Sequence, residues 1–184
     1  MEKIFPQAMA AEQKLKEKLL ASNLTVKGFE IPLRNMRAEA EIYREANMPL
    51  LIEEEKLGIA HDQVMGAQTV KWQGKEKTAR HMEVVLRELD RETRKKGWEL
   101  LAERQLADRE VINRQWVEYM ELRERIAANA DLPDYRSYRW RVLMRFDYTP
   151  EDCGIFHDAI EQAVVPAVQR MAERRMKALG IDRL

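Results

Sequence analysis

Along nearly the whole chain, apolar residues recur at steps of three and four, the spacing of one face of an α-helix. Ile4, Ala8, Ala11, Leu15 and Leu19 mark a first helix ending near Ser22-Asn23. Leu24 to Pro32 carries Gly28 and Pro32 but no stripe, so it reads as a connector. The spacing restarts at Leu33, Met36, Ala40 and Tyr43, and another helix runs from about Pro49 to Met65. The period then changes: Val70 and Trp72 alternate with Lys71 and Gln73, followed by Gly74 and Lys75-Glu76-Lys77, which predicts a small β-hairpin. Thr78 can cap the next helix, whose apolar side is Met82, Val85, Leu86 and Leu89. Asp90 and Asp108 read as further caps or breaks. Ile112, Trp116, Tyr119, Leu122 and Ile126 form one face of a long helix that ends within Asn129 to Pro133.

The sharpest local signal is Thr149-Pro150-Glu151-Asp152, a capping threonine, a first-turn proline and acids suited to the helix dipole. The helix it starts carries Ile155, Phe156, Ala159, Ile160, Ala163, Val164, Ala167, Val168 and Met171, with Gly180 as its stop. Pro166 lies inside and predicts a kink one turn upstream. These elements predict a mainly α fold, an antiparallel helical array with one small β-hairpin. The organisation expected is a single domain over 1–184, with N-terminal helices at 1–65, the hairpin at 66–77 and a second helical part at 78–184.

Composition agrees, because Gly and Pro together are 13 of 184 residues, below the combined ~12% of average usage. With 32 basic and 32 acidic side chains the formal charge is zero, which argues against a polyanion-binding domain and so against nucleic acid. One cysteine supports neither an intrachain disulfide nor a multi-cysteine zinc site. No run approaches the ~18 apolar residues of a membrane span, and the start has no signal-peptide core. The expectation is a cytoplasmic protein with no membrane partner.

Most catalytic motifs fail on spacing. His61, His81 and His157 are too far apart for His-Glu-x-x-His, and Gly58, Thr78 and Gly154, not glutamates, stand three before them. In His157-Asp158-Ala159-Ile160-Glu161 the second imidazole is replaced by Glu161, which reads as a surface pair one helical turn apart. Ser22 and Ser137 lie in no nucleophile elbow, and Gly74-Lys75 has Thr69 where a phosphate loop needs glycine. Cys153 next to Phe156 reads as a packed thiol. Glu53-Glu54-Glu55 occupies three successive helical positions and reads as a solvated face. The predicted catalytic and metal-ligand sets are therefore empty.

One segment concentrates recognition chemistry: Tyr135, Arg136, Tyr138, Arg139, Trp140, Arg141, Arg145 and Tyr148. Its arginines can hold a peptide's carboxylate or backbone, stack on bases, or simply pair with acids such as Glu118, Glu121 or Glu124 while Trp140, Val142 and Leu143 pack. Tyr138, Arg141 and Arg145, three and four apart, are expected to share one helix face and are the candidate substrate contacts.

The order Leu19-Leu20-Ala21-Ser22, Arg34-Asn35-Met36-Arg37, Asn47-Met48-Pro49-Leu50, Gly66-Ala67-Gln68-Thr69-Val70 with Trp72 and Gly74, then Asp147 to Cys153 with Phe156-His157 and Val164-Val165-Pro166, resembles oligoendopeptidase F-like enzymes. These belong to the thimet-oligopeptidase-like zinc metallopeptidases. The resemblance implies a mostly helical, cytoplasmic peptidase that cuts short peptides in a deep channel, with zinc on a His-Glu-x-x-His helix downstream of the region seen here. It implies no cofactor or catalytic residue in this chain, a missing catalytic domain as partner, and self-association through uncovered stripes. The alternative is a freestanding, non-catalytic helical interaction module.

Overall fold

The computed structural model describes residues 4–182; the first three residues of the 1–65 region and the last two of the 78–184 region lie outside the described residues. It is mainly α with one antiparallel hairpin, as the stripes predict. Two compact units divide the chain, Met1–Arg139 and Trp140–Leu184.

In the first unit, α1 (Ile4–Ala21) and α2 (Glu30–Ile42) pack together. Helix α2 starts earlier than the connector reading allowed, because Pro32 falls in its first turn, where the missing N–H has no intrahelical acceptor to lose. Lys16 of α1 joins the pair by an ion pair with Glu39 of α2. A 3-10 turn (Glu45–Asn47) then leads into α3 (Met48–Gly66), with Pro49 in its opening turn.

Helix α3 packs on α6 (Arg109–Asn129). Contacts fix the direction: Asn47 meets Ile126 and Asn129, Glu54 meets Arg123, His61 meets Gln115, and Gln68 meets Asp108. Moving up α3 means moving down α6, so the two run antiparallel. Asn47 is buried and, instead of capping α3, sends its Nδ2 to the Ile126 carbonyl at 2.9 Å while accepting from Asn129 Nδ2 at 2.8 Å. Ile126 is among the last four residues of α6, whose carbonyls lack intrahelical donors, so Asn47 satisfies a group the helix itself leaves bare. The buried face of α6 is Gln115, Leu122 and Ile126; Trp116, expected on the packed stripe, is 61% exposed, one position off the α3 contact line.

Strands β1 (Thr69–Trp72) and β2 (Lys75–Thr78) pair in the register Val70 to Lys77 and Trp72 to Lys75. Gln73 and Gly74 both take positive φ, the tight turn the hairpin needs. Thr78 caps α4 (Ala79–Val85) by accepting from the His81 amide. This helix stops short of Leu89, which is exposed, and Met82 is its fully buried anchor. Asp90 caps α5 (Arg91–Ala107), accepting from the Thr93 amide at 2.7 Å. Asp108 is a break rather than a cap, because its carboxylate is taken by Arg104 and Gln68. Helix α6 ends with Asp131 in the left-handed conformation and Leu132 N–H bonded back to Ala127.

Helix α7 (Tyr135–Val142) spans the boundary between the units. In the second unit it ends with Met144 left-handed and Arg145 N–H returning to the Trp140 carbonyl, a Schellman stop. Thr149 and Asp152 form a reciprocal capping box for α8 (Pro150–Ala159). A π turn (Ile160–Val164) precedes α9 (Val165–Leu179), so the kink expected upstream of Pro166 takes the form of one widened turn. Gly180 is left-handed and Ile181 N–H bonds to Met176 O, again a Schellman stop.

Gly97 marks where α4 and α5 touch, since a Cβ there would stand 2.9 Å from Val85 Cγ1, a stiff β-branched atom. Gly97→Ala should therefore lower stability by about 1–3 kcal/mol despite the ~1 kcal/mol helix-propensity gain. Urea unfolding measures it; a stabilised variant would contradict this packing.

Candidate functional site

Within the first unit, the middle of the α3–α6 contact opens into a cavity of about 910 Å³. Met9, Leu51, Ile52 and Ile59 supply its apolar lining; Glu54, Tyr119, Arg123, Tyr135 and Arg139 supply its polar side. Glu54 is the hub. Its Oε1 accepts from Arg123 Nε at 2.7 Å and from the Tyr135 hydroxyl at 3.0 Å, while the Tyr119 hydroxyl donates to the Glu54 carbonyl at 3.3 Å. The Arg123 guanidinium lies over the Tyr119 ring at 4.5 Å and the Tyr135 ring at 5.0 Å, so two aromatic faces and one carboxylate hold it. Gly58 leaves space for Tyr119, whose hydroxyl would be 3.1 Å from a Cβ there.

Of these residues, Tyr135 and Arg139 belong to the segment whose sequence concentrates recognition chemistry, whereas Glu54, Tyr119 and Arg123 do not. The acidic run predicts Glu54 on a solvated face with Glu53 and Glu55; its side chain is only 19% exposed, because it follows buried Leu50 by one turn on the side of α3 that meets α6. Tyr135 stacks on Tyr138 with ring centroids 5.8 Å apart. Burial, then the Glu54 charge and hydrogen bond, push the Tyr135 phenol up to about 12. Burial also raises Tyr138.

The three candidate substrate contacts are not on one helix face. Helix α7 ends at Val142, and the left-handed Met144 turns the chain before Arg145. Tyr138 is buried at 7% exposure in the first unit. Arg145, in the second, stacks over Trp140 at 4.8 Å and Tyr148 at 5.8 Å, and those two rings meet edge to face. Within the first unit, Glu54 of α3 accepts from Tyr135 of this segment, and Asp134 pairs with its Arg136.

The zinc implied by the resemblance finds no fitting donor set here. Among the described residues no three His, Cys, Asp or Glu side chains come together. His61 Nδ1 faces Gln115 Oε1 at 3.4 Å, His81 Nδ1 faces Thr78 Oγ1 at 2.9 Å, and the His157 ring lies beside Phe156. Cys153 is half-buried. Among the described residues, no helix is long and apolar enough to cross a membrane.

No protein-family model matches the chain, and no curated protein does. Solved structures do share its fold. An oligoendopeptidase F from Bacillus anthracis aligns over 97% of this chain and 34% of its own, with TM-score 0.85 and 17% identity. A second oligoendopeptidase F aligns over 97% and 32%, at TM-score 0.89 and 15% identity. PZ peptidase A, solved with an inhibitor, aligns over 98% and 33%, at TM-score 0.89 and 18% identity. The fold is thus that of one part of these peptidases, and the chain spans about a third of their length.

The raised Tyr135 pKa sets a direction for stability. The folded phenol holds its proton more tightly than an unfolded one, so this contribution is complete below pH 10 and is lost as pH rises through about 12. Phenolate absorbance of the chain minus that of Tyr135→Phe should show one group ionising near pH 12; ionisation near 10 would place Tyr135 in solvent.

Proposed function

We propose that this chain is the non-catalytic scaffold and channel-wall segment of a zinc-dependent oligopeptidase, a cytoplasmic metalloendopeptidase that hydrolyses short peptides. The observation that carries the reading is the fold likeness over 97–98% of this chain to about a third of each peptidase. In this reading the domain 1–184 is a piece of a larger enzyme, the zinc and its ligands belong to the missing catalytic part, and that part is the segment's partner.

Uncovered apolar side chains support it. Trp98 and Trp116 in the first unit, and Ile155, Phe156 and Met171 in the second, are each more than 60% exposed. Large apolar patches of this kind mark surfaces that another element covers. The chain alone then self-associates or packs loosely. Arg141 and Arg145 are the residues of the α7 region that face peptide in the whole enzyme; Tyr138, being buried, shapes the wall from within.

The test is direct. After dialysis the 184-residue chain should retain less than one zinc in ten molecules and cleave no quenched fluorescent peptide, since a zinc site needs three or four converging ligands. One zinc per chain with chelator-sensitive peptidase activity would overturn the proposal. A sharply cooperative, strictly monomeric unfolding transition would favour the freestanding interaction module instead.

A further inference from the structure

The cavity beside Glu54 is lined by both paired and unpaired charges. Arg123 is committed to Glu54, and Lys56 to Glu53. Among the described residues that line the cavity, Arg139 and Glu55 are left without an ion-pair partner. Arg139 lies one turn after Tyr135 on α7, and its charge reaches the Tyr135 hydroxyl strongly enough to oppose that group's upward shift. An open guanidinium fork thus stands at the edge of a volume lined by Met9, Leu51, Ile52 and Ile59.

We propose that this cavity binds the C-terminal residue of a peptide, its carboxylate on Arg139 and its apolar side chain against Leu51, Ile52 and Ile59. Four features point to that ligand class. The volume lies within the ~300–1,000 Å³ typical of small-ligand sites. The lining is mostly apolar, which selects an aliphatic or aromatic side chain. A guanidinium grips a planar carboxylate through two parallel hydrogen bonds. Glu55 repels a second negative charge while offering an acceptor to a peptide N–H, which disfavours phosphate and favours a monoanion carrying an amide. The choice of peptide over other apolar acids rests on the proposed function; the site itself does not, and binding can be read without any peptidase activity.

The experiment titrates the full 184-residue chain with N-acetyl-leucine, N-acetyl-leucinamide and octanoate, following amide and methyl NMR shifts. N-acetyl-leucine should perturb Ile52, Ile59, Tyr119 and Tyr135, and the uncharged amide should bind about tenfold more weakly, the scale of one charge-assisted pair. Arg139→Gln should remove that preference, Arg139→Lys should keep part of it, and Arg136→Gln, at an exposed position on the same helix, should leave it intact. Because Arg139 is exposed, its variants should keep the native spectrum. Equal affinity for acid and amide, shifts outside the cavity, or an unchanged preference in Arg139→Gln would overturn the site. Octanoate binding more tightly than N-acetyl-leucine would overturn the peptide assignment in favour of free apolar acids. Peptidase activity of the chain alone would sink the scaffold reading and leave these binding results standing.

Discussion

The antiparallel contact between α3 and α6 is polar at both ends and at its centre, and the rest of the first unit is arranged around it. Asn47 closes one end against Ile126 and Asn129, Gln68 closes the other against Asp108 and through it Arg104, and Glu54 grips Arg123 midway. A buried amide without partners costs roughly 1–3 kcal/mol, so each of these groups accepts one register and rejects a slide by a helical turn. Apolar packing alone is more forgiving of such slips, because Leu, Ile and Met faces are interchangeable at coarse resolution. Direction and register follow from the hydrogen bonds; cohesion follows from Leu50, Leu122, Ile126 and Met48 around them.

That registration explains the site. With α3 fixed against α6, Glu54 sits where a guanidinium from α6 and a phenol from α7 reach the same oxygen, and Arg123 is pinned between two rings. The arrangement is structural at its core and open at its edge, where Arg139 and the apolar lining meet the cavity.

The sequence made the helices, the hairpin and their caps legible because those depend on local rules. Thr78, Asp90 and Thr149 cap as their chemistry requires, and Pro166 widens the turn before it. Burial does not follow from such local rules. Apolarity points Trp116 to the core and charge points Glu54 to solvent, yet the α3–α6 contact line passes through Gln115 and Glu54. The signal was present in the period: Leu50, Glu54, Gly58 and His61 share one side of α3, as Gln115, Leu122 and Ile126 do on α6. It was masked because neutral and charged polar residues score as exposed until their partners, 54 to 82 positions away, are known. Likewise Arg145 fell off the expected face of α7 because Met144 adopts a left-handed conformation that a side chain of its kind rarely takes.

Native-state hydrogen exchange of the chain against Asn47→Ala tests the seam most directly, since residues that open together exchange together. The account predicts that the amides of α3 and α6 share the highest protection in the first unit and lose it by the same factor in the variant, while the α4–α5 pair changes little. Protection that falls in α3 alone, with α6 unmoved, would show that Asn47 does not join the two helices and would contradict the account.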